Sequence, residues 1–155
     1  MLHIVPTNWY SWDFRVTDES RAVGDVTVSN WREKGALTVG DTTYSVYREG
    51  PMSGTFILEH AGSVLAQAEK PSFFRRDFVI HHAGREYTLR RESWLRRTFV
   101  LLDGSRQVGF LSPKSAFTRK AAASLPHDLP LPVRMFIVWL TMISWRRDQS
   151  ACSSC

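Results

Sequence analysis

The sequence predicts a mainly β protein, a closed antiparallel β-barrel meander that encloses a hydrophobic C-terminal helix. Three observations carry this expectation. Apolar and polar residues alternate through most of the chain before Ser115, a pattern recurs about every 43 residues, and the last third holds a stretch that is apolar on almost every face.

The repeat comes first because it sets the unit. Phe14, Asp18, Ser20-Arg21 and Val23-Gly24 recur 85 positions later as Phe99, Asp103, Ser105-Arg106 and Val108-Gly109. At half that distance, Tyr44, Val46, Arg48, Glu49, Thr55 and Phe56 match Tyr87, Leu89, Arg91, Glu92, Thr98 and Phe99. Within each unit the stretches Tyr44-Ser45-Val46-Tyr47, Phe78-Val79-Ile80 and Tyr87-Thr88-Leu89-Arg90 have the two-residue period of half-buried strands. Turn residues punctuate them at Asp18-Glu19, Gly40-Asp41, Gly50-Pro51, Ala61-Gly62, Ala83-Gly84 and Asp103-Gly104. A sheet of this many short strands must hide its edges and cover its apolar face, and closure into a barrel does both.

The last third changes character. Ser115 to Leu125, with Ala121-Ala122-Ala123, reads as a short helix capped by Ser115. Pro126, Pro130 and Pro132 then force an extended lead-in. A second helix is expected over about 132–147, opened by Pro132 and closed by Arg146-Arg147, whose charges suit a helix C-terminus. From Val133 to Trp145 only Arg134, Thr141 and Ser144 are not hydrophobic, and they share one narrow side. Thirteen residues at about 1.5 Å each reach roughly 20 Å, short of the ~30 Å hydrocarbon layer, so a core helix is favoured over a membrane span.

The 155 residues suit a single domain, 1–148, followed by a flexible tail, 149–155. A hydrophobic fraction of 43% supplies a packed interior and argues against intrinsic disorder. Lys+Arg 20 against Asp+Glu 15 leaves a net charge of +5, which favours anionic partners. The start, Met1 to Pro6, has neither a basic n-region nor a long apolar core, so a cytoplasmic location is expected, peripheral to the membrane if lipid is the partner. Cys152 and Cys155 form one C-x-x-C pair in the tail, with no second pair for zinc and no disulfide framework.

Catalysis finds no candidate. Adjacent His81 and His82 on a strand point to opposite faces and cannot share a metal ion. No nucleophile elbow or phosphate-cradling glycine loop is present, and the aspartates fall in turns, where local hydrogen bonds favour them. Glu49 and Glu92, beside Arg48 and Arg91, read as structural strand-edge charges. No catalytic residue, cofactor or metal is therefore expected.

The repeated Tyr-x-Val/Leu-x-Arg-Glu stretches (Tyr44 to Glu49, Tyr87 to Glu92), the Gly62 to Ala66 and Val108-Gly109 segments and the closing Met135 to Leu140 helix resemble the tubby C-terminal-like superfamily. That group includes tubby domains, phospholipid scramblases and the LURP-one-related proteins. The resemblance runs from about Trp12 to Arg147 and implies a barrel of about a dozen antiparallel strands around a central helix. Within that group tubby domains bind phosphoinositides, scramblases are associated with lipid and calcium, and LURP-one-related members share no agreed activity, so the resemblance implies a fold more than a function. A calcium-site loop and a longer span after the helix have no counterpart here, so calcium binding and scrambling are not implied.

One constellation reads as a site. Counting turns along a meander puts Gly40-Asp41, Ala61-Gly62, Ala83-Gly84 and Asp103-Gly104 at one end. The other end receives Trp31-Arg32-Glu33-Lys34, Gly50-Pro51-Met52-Ser53, Phe73-Phe74-Arg75-Arg76 and Trp94-Leu95-Arg96-Arg97. Aromatic rings beside paired guanidiniums are what a peripheral membrane contact needs. Arg32, Arg75, Arg76, Arg96 and Arg97 are the candidate anionic-ligand-binding residues, and Trp31, Phe74 and Trp94 the candidate membrane contacts. Anionic lipid head groups are thus the expected partner of a non-enzymatic binding or scaffolding module. Nucleic acid ranks below lipid, since no recognised nucleic-acid motif is present. A protein-interaction domain, or a small-ligand carrier or enzyme using a side pocket, are the alternatives.

Overall fold

The computed structural model describes residues 1–155 except 30–31, 72–76, 116–117 and 154–155. Its strands are β1 (Leu2–Pro6), β2 (Trp12–Asp18), β3 (Arg21–Val28), β4 (Lys34–Val39), β5 (Thr42–Arg48), β6 (Thr55–His60), β7 (Ser63–Glu69), β8 (Phe78–His82), β9 (Arg85–Arg91), β10 (Phe99–Asp103), β11 (Arg106–Pro113) and β12 (Ala121–Ser124), followed by the helix α1 (Leu131–Ser153). Each strand pairs antiparallel with the next, and β12 pairs with β1 to close the barrel. The predicted architecture is the one observed.

The sequence repeat is a structural repeat of four strands. The hairpins β2–β3, β6–β7 and β10–β11 carry a register shift at the same place, between Val16 and Thr17, Leu58 and Glu59, and Leu101 and Leu102. Phe14, Phe56 and Phe99 stand at matching positions and are fully buried. β4–β5 and β8–β9 complete the first two units. The third has only β12, and β1 supplies its missing strand. Leu2 and Ile4 lie opposite Ala123 and Ala121, as Tyr44 and Val46 lie opposite Leu37 and Gly35, and Tyr87 and Leu89 opposite Ile80 and Phe78. The chain that would have formed this strand is thereby freed to become α1.

Two sequence expectations are corrected here. The helix expected over Ser115 to Leu125 is absent among the described residues, and Ala121–Ser124 is strand β12, bonded to both β1 and β11. Alanine's helix propensity amounts to tenths of a kcal/mol per residue, and tertiary context overrides it. Ala121 and Ala123 face the interior with no exposed surface, opposite Ile4 and Leu2 of β1. The second correction concerns the end of α1, which runs past Arg147 to Ser153, taking in residues expected to be a flexible tail, among them the exposed Cys152. Arg146 and Arg147 are spent on barrel contacts instead of on the helix terminus.

Every residue from Met135 to Ile143 is 0% exposed. A helix lying on an outer wall would leave one face wet, so α1 is enclosed on all sides over this stretch. Its two buried hydroxyls do not turn to water: Thr141 donates to the carbonyl of Ile137 at 3.1 Å and Ser144 to that of Leu140 at 3.0 Å. The wall makes room for the helix with Gly24 and Gly35, where an added Cβ would meet Met135 and Trp139 of α1. A methyl group on Gly24 would stand 2.8 Å from Cε of Met135. No helix among the described residues is long and apolar enough to cross a membrane. Although α1 has 23 residues, its apolar run stops at Arg146.

The helix also has a direction. It enters where Asp128 accepts from Arg85 at 2.8 Å and Arg134 donates to the Leu129 carbonyl at 3.1 Å. That bond to Arg85 holds the Asp128 carboxyl below the usual carboxylate range. It leaves at the opposite end, where Trp145 Nε1 donates to the Arg97 carbonyl at 2.8 Å and Arg146 donates to that of Ser29.

Candidate membrane interface

A closed meander sorts its connections, and the two ends of this barrel differ as the turn count predicted. At the end where α1 enters, the turns are Glu19-Ser20, Gly40-Asp41, Ala61-Gly62, Ala83-Gly84 and Gly104-Ser105. Ala61 and Gly62 have φ of 49° and 82°, and Ala83 and Gly84 of 49° and 75°, the positive pair that a tight two-residue hairpin turn requires. These turns carry Glu19 and Asp41 and no cation. The arginines that open β9 and β11, Arg85 and Arg106, approach Asp103. The opposite end receives the long connections 7–11, 29–33, 49–54, 70–77, 92–98 and 114–120.

Three of the long connections are copies of one another. Each begins with a matching backbone bond of 2.9 Å, from Thr7 to Asp13, from Glu49 to Thr55 and from Glu92 to Thr98. Each also has a carbonyl held by a guanidinium. Arg48 donates to Ser53, Arg91 to Arg96 at 2.9 Å, and Arg119 to Ser11 as well as to Asn8. Arg48 and Arg91, the neighbours of the glutamates read as strand-edge charges, share a strand face with the buried Val46 and Leu89 and turn into the barrel mouth. There they pin the loop that follows. In the third copy the matching position is Pro6, and Arg119 from the neighbouring 114–120 connection takes over.

Above these clamps stand large apolar side chains at matching positions. Trp9 and Tyr10 are 87% and 71% exposed, Met52 is 81% exposed beside an exposed Pro51, and Trp94 and Leu95 are 84% and 74% exposed. Sequence reasoning found Trp94 and missed Trp9 and Tyr10. The signal was available, because the repeat aligns Trp9-Tyr10 with Pro51-Met52 and Trp94-Leu95.

Below the loops, charged groups close the barrel mouth around the emerging helix. Glu33 takes guanidiniums from Arg48, at 3.2 Å, and from Arg147. Arg91 pairs with Asp148 at 2.9 Å. Arg97 lies over the Trp145 ring, 4.8 Å from its centroid, and burial lowers its pKa, with nearby Asp148 opposing the shift. Burial likewise lowers the pKa of Arg146.

The sequence-derived site residues divide accordingly. Arg32, Trp94 and Arg96 are exposed at this end, with Arg96 3.7 Å from Glu92. Arg32 lines an open cleft of about 700 Å³ with Glu33, Lys34, Tyr47, Arg48 and Glu49. Arg97 is turned inward against Trp145 and is not presented to solvent as Arg96 is. Trp31, Phe74, Arg75 and Arg76 lie outside the described residues. His82 Nδ1 lies 2.8 Å from the Leu65 carbonyl while His81 approaches Glu86, so the two histidines part as expected of strand neighbours.

Comparison of the chain with protein-family models, with curated proteins and with solved structures finds no significant match. The site is therefore read from its own chemistry.

Proposed function

We propose that this protein is a non-enzymatic module that makes peripheral contact with anionic phospholipid through the long-loop end of its barrel, and that it is a tubby-like domain. The observation that carries the reading is the concentration, at the long-loop end, of exposed aromatic rings and the most exposed apolar side chains together with exposed cations, whereas the short-turn end exposes no described aromatic residue of that kind and only Met1 and Val64 beside Arg21, Arg85 and Arg106. Arg32, Lys34, Arg96, Lys114 and Lys120 are exposed there, alongside Trp9, Tyr10, Met52, Trp94 and Leu95. Each cation near an anionic leaflet contributes about 1 kcal/mol. The barrel interior is filled by α1, which leaves rims and outer walls as the working surfaces. A closed twelve-strand barrel around a helix supports the tubby-like part of the proposal.

Co-sedimentation with phosphatidylcholine vesicles, with and without phosphatidylserine, tests it. Binding is expected only when the acidic lipid is present, and weaker at high salt. Replacing Arg32, Arg75, Arg76 and Arg96 together by alanine is expected to lower partitioning by on the order of 1000-fold. Binding that is indifferent to acidic lipid, or unchanged in the quadruple variant, contradicts the proposal. Arg97 is left in place because its guanidinium packs on the core Trp145.

A further inference from the structure

We infer that the loops 7–11, 49–54 and 92–98 form a three-point apolar anchor, by which the barrel docks end-on into the interfacial layer of an anionic bilayer. This rests on the lipid reading and adds the mode of contact, the orientation and the residues that enter.

The order of connections around the rim is the main argument. Going round the barrel, the apolar loop 7–11 is followed by 29–33 with Arg32, then the apolar loop 49–54, then 70–77 with Lys70, then 92–98, then 114–120 with Lys114 and Lys120. Among the described residues the exposed apolar side chains fall on every second connection, while exposed cations lie on the connections between them and, as Arg96, beside Trp94 and Leu95. A surface built for a protein partner gathers its apolar anchors into a central patch and puts charge at the edge. Here the centre is the charged exit of α1, and the apolar groups are set apart from one another. A membrane interface suits that arrangement, because aromatic rings and cations both settle at head-group depth. Three separated contacts also define a plane, which places the barrel axis near the bilayer normal.

Rigidity is the second argument. Solvent-exposed Trp and Leu are costly to display, and a loop that must order itself on binding loses part of what it gains. Each of these loops is already closed by a backbone bond and pinned by an arginine. The recurrence of exposed apolar pairs at the same place in three divergent copies, Trp-Tyr, Pro-Met and Trp-Leu, keeps the physical property while changing the residues.

Three variants of the full chain test the anchor, Trp9→Ser with Tyr10→Ser, Met52→Ser, and Trp94→Ser with Leu95→Ser. These side chains are exposed, so the fold is retained, and circular dichroism checks it. On phosphatidylserine-containing vesicles each variant is expected to bind about 10-fold more weakly. Tryptophan emission of the unaltered protein is expected to be quenched by lipids brominated in the upper acyl chain, and less so when Trp9 or Trp94 is removed. If the three variants bind like the unaltered protein, with no quenching, the anchor is wrong while the charge-based reading stands. If only one loop matters, docking is side-on and the three-point anchor is overturned. If the unaltered protein binds no vesicles, both fail.

Discussion

Trp139→Ala is expected to destabilise the protein by about 3–5 kcal/mol, the range for emptying the site of a large buried aromatic side chain. Trp139 is 0% exposed and stacks on Phe136 with centroids 6.1 Å apart and planes inclined by 13°. It also meets Phe56 edge-on at 6.0 Å. Because α1 is enclosed on every face, no solvent-side relaxation can refill the space. Trp94→Ala provides the control within the same chain. Trp94 is exposed on a loop, and its loss is expected to cost less than about 0.5 kcal/mol. Urea denaturation of both variants makes the comparison, and equal midpoints would mean that α1 does not thread the barrel.

Gly35→Ala is the second large effect, with an expected loss of about 2–4 kcal/mol or failure to accumulate folded protein. A Cβ there would lie 1.9 Å from the carbonyl oxygen of Thr27 on the paired strand β3, and 3.0 Å from Nε1 of Trp139. Neither neighbour can yield cheaply, since one is backbone and the other belongs to the central helix. Gly40→Ala should behave differently. Nothing lies within 4 Å of its added methyl, so its cost is only that of a side chain at φ 59°, about 1 kcal/mol. Thermal melting separates the two. A Gly35 variant as stable as the Gly40 variant would show that β3, β4 and the helix pack less closely than described.

Much of this was legible in the residues. Alternation marked the strands, turn residues marked most of the hairpins, and the greasy stretch from Val133 to Trp145, short for a bilayer span, favoured burial inside a closed sheet. What escaped was set by tertiary context. Ala121-Ala122-Ala123 carries a helical propensity that the barrel overrides, although the repeat itself aligns Ala121 with Phe78 at the start of β8 and so pointed to a strand. β1 escaped because a strand borrowed from the far end of the chain has no local signature in the unit it completes. The site divides in the same way. Arg32 and Arg96 were placed at the long-loop end by counting turns, whereas Arg97 beside Arg96 is drawn onto the Trp145 ring of the helix, a tertiary contact to which composition is blind. The clamping roles of Arg48, Arg91 and Arg119 depend on carbonyls brought within reach only by loop geometry.

The central functional claim is that one end of the barrel meets the lipid. Hydrogen exchange on the unaltered protein, with and without phosphatidylserine-containing vesicles, tests it most directly. The account predicts added protection confined to the amides around Trp9 to Ser11, Met52 to Ser53 and Trp94 to Arg96, with the turns at Ala61-Gly62 and Ala83-Gly84 unchanged. Protection centred on those turns, or spread along the outer wall, would contradict it.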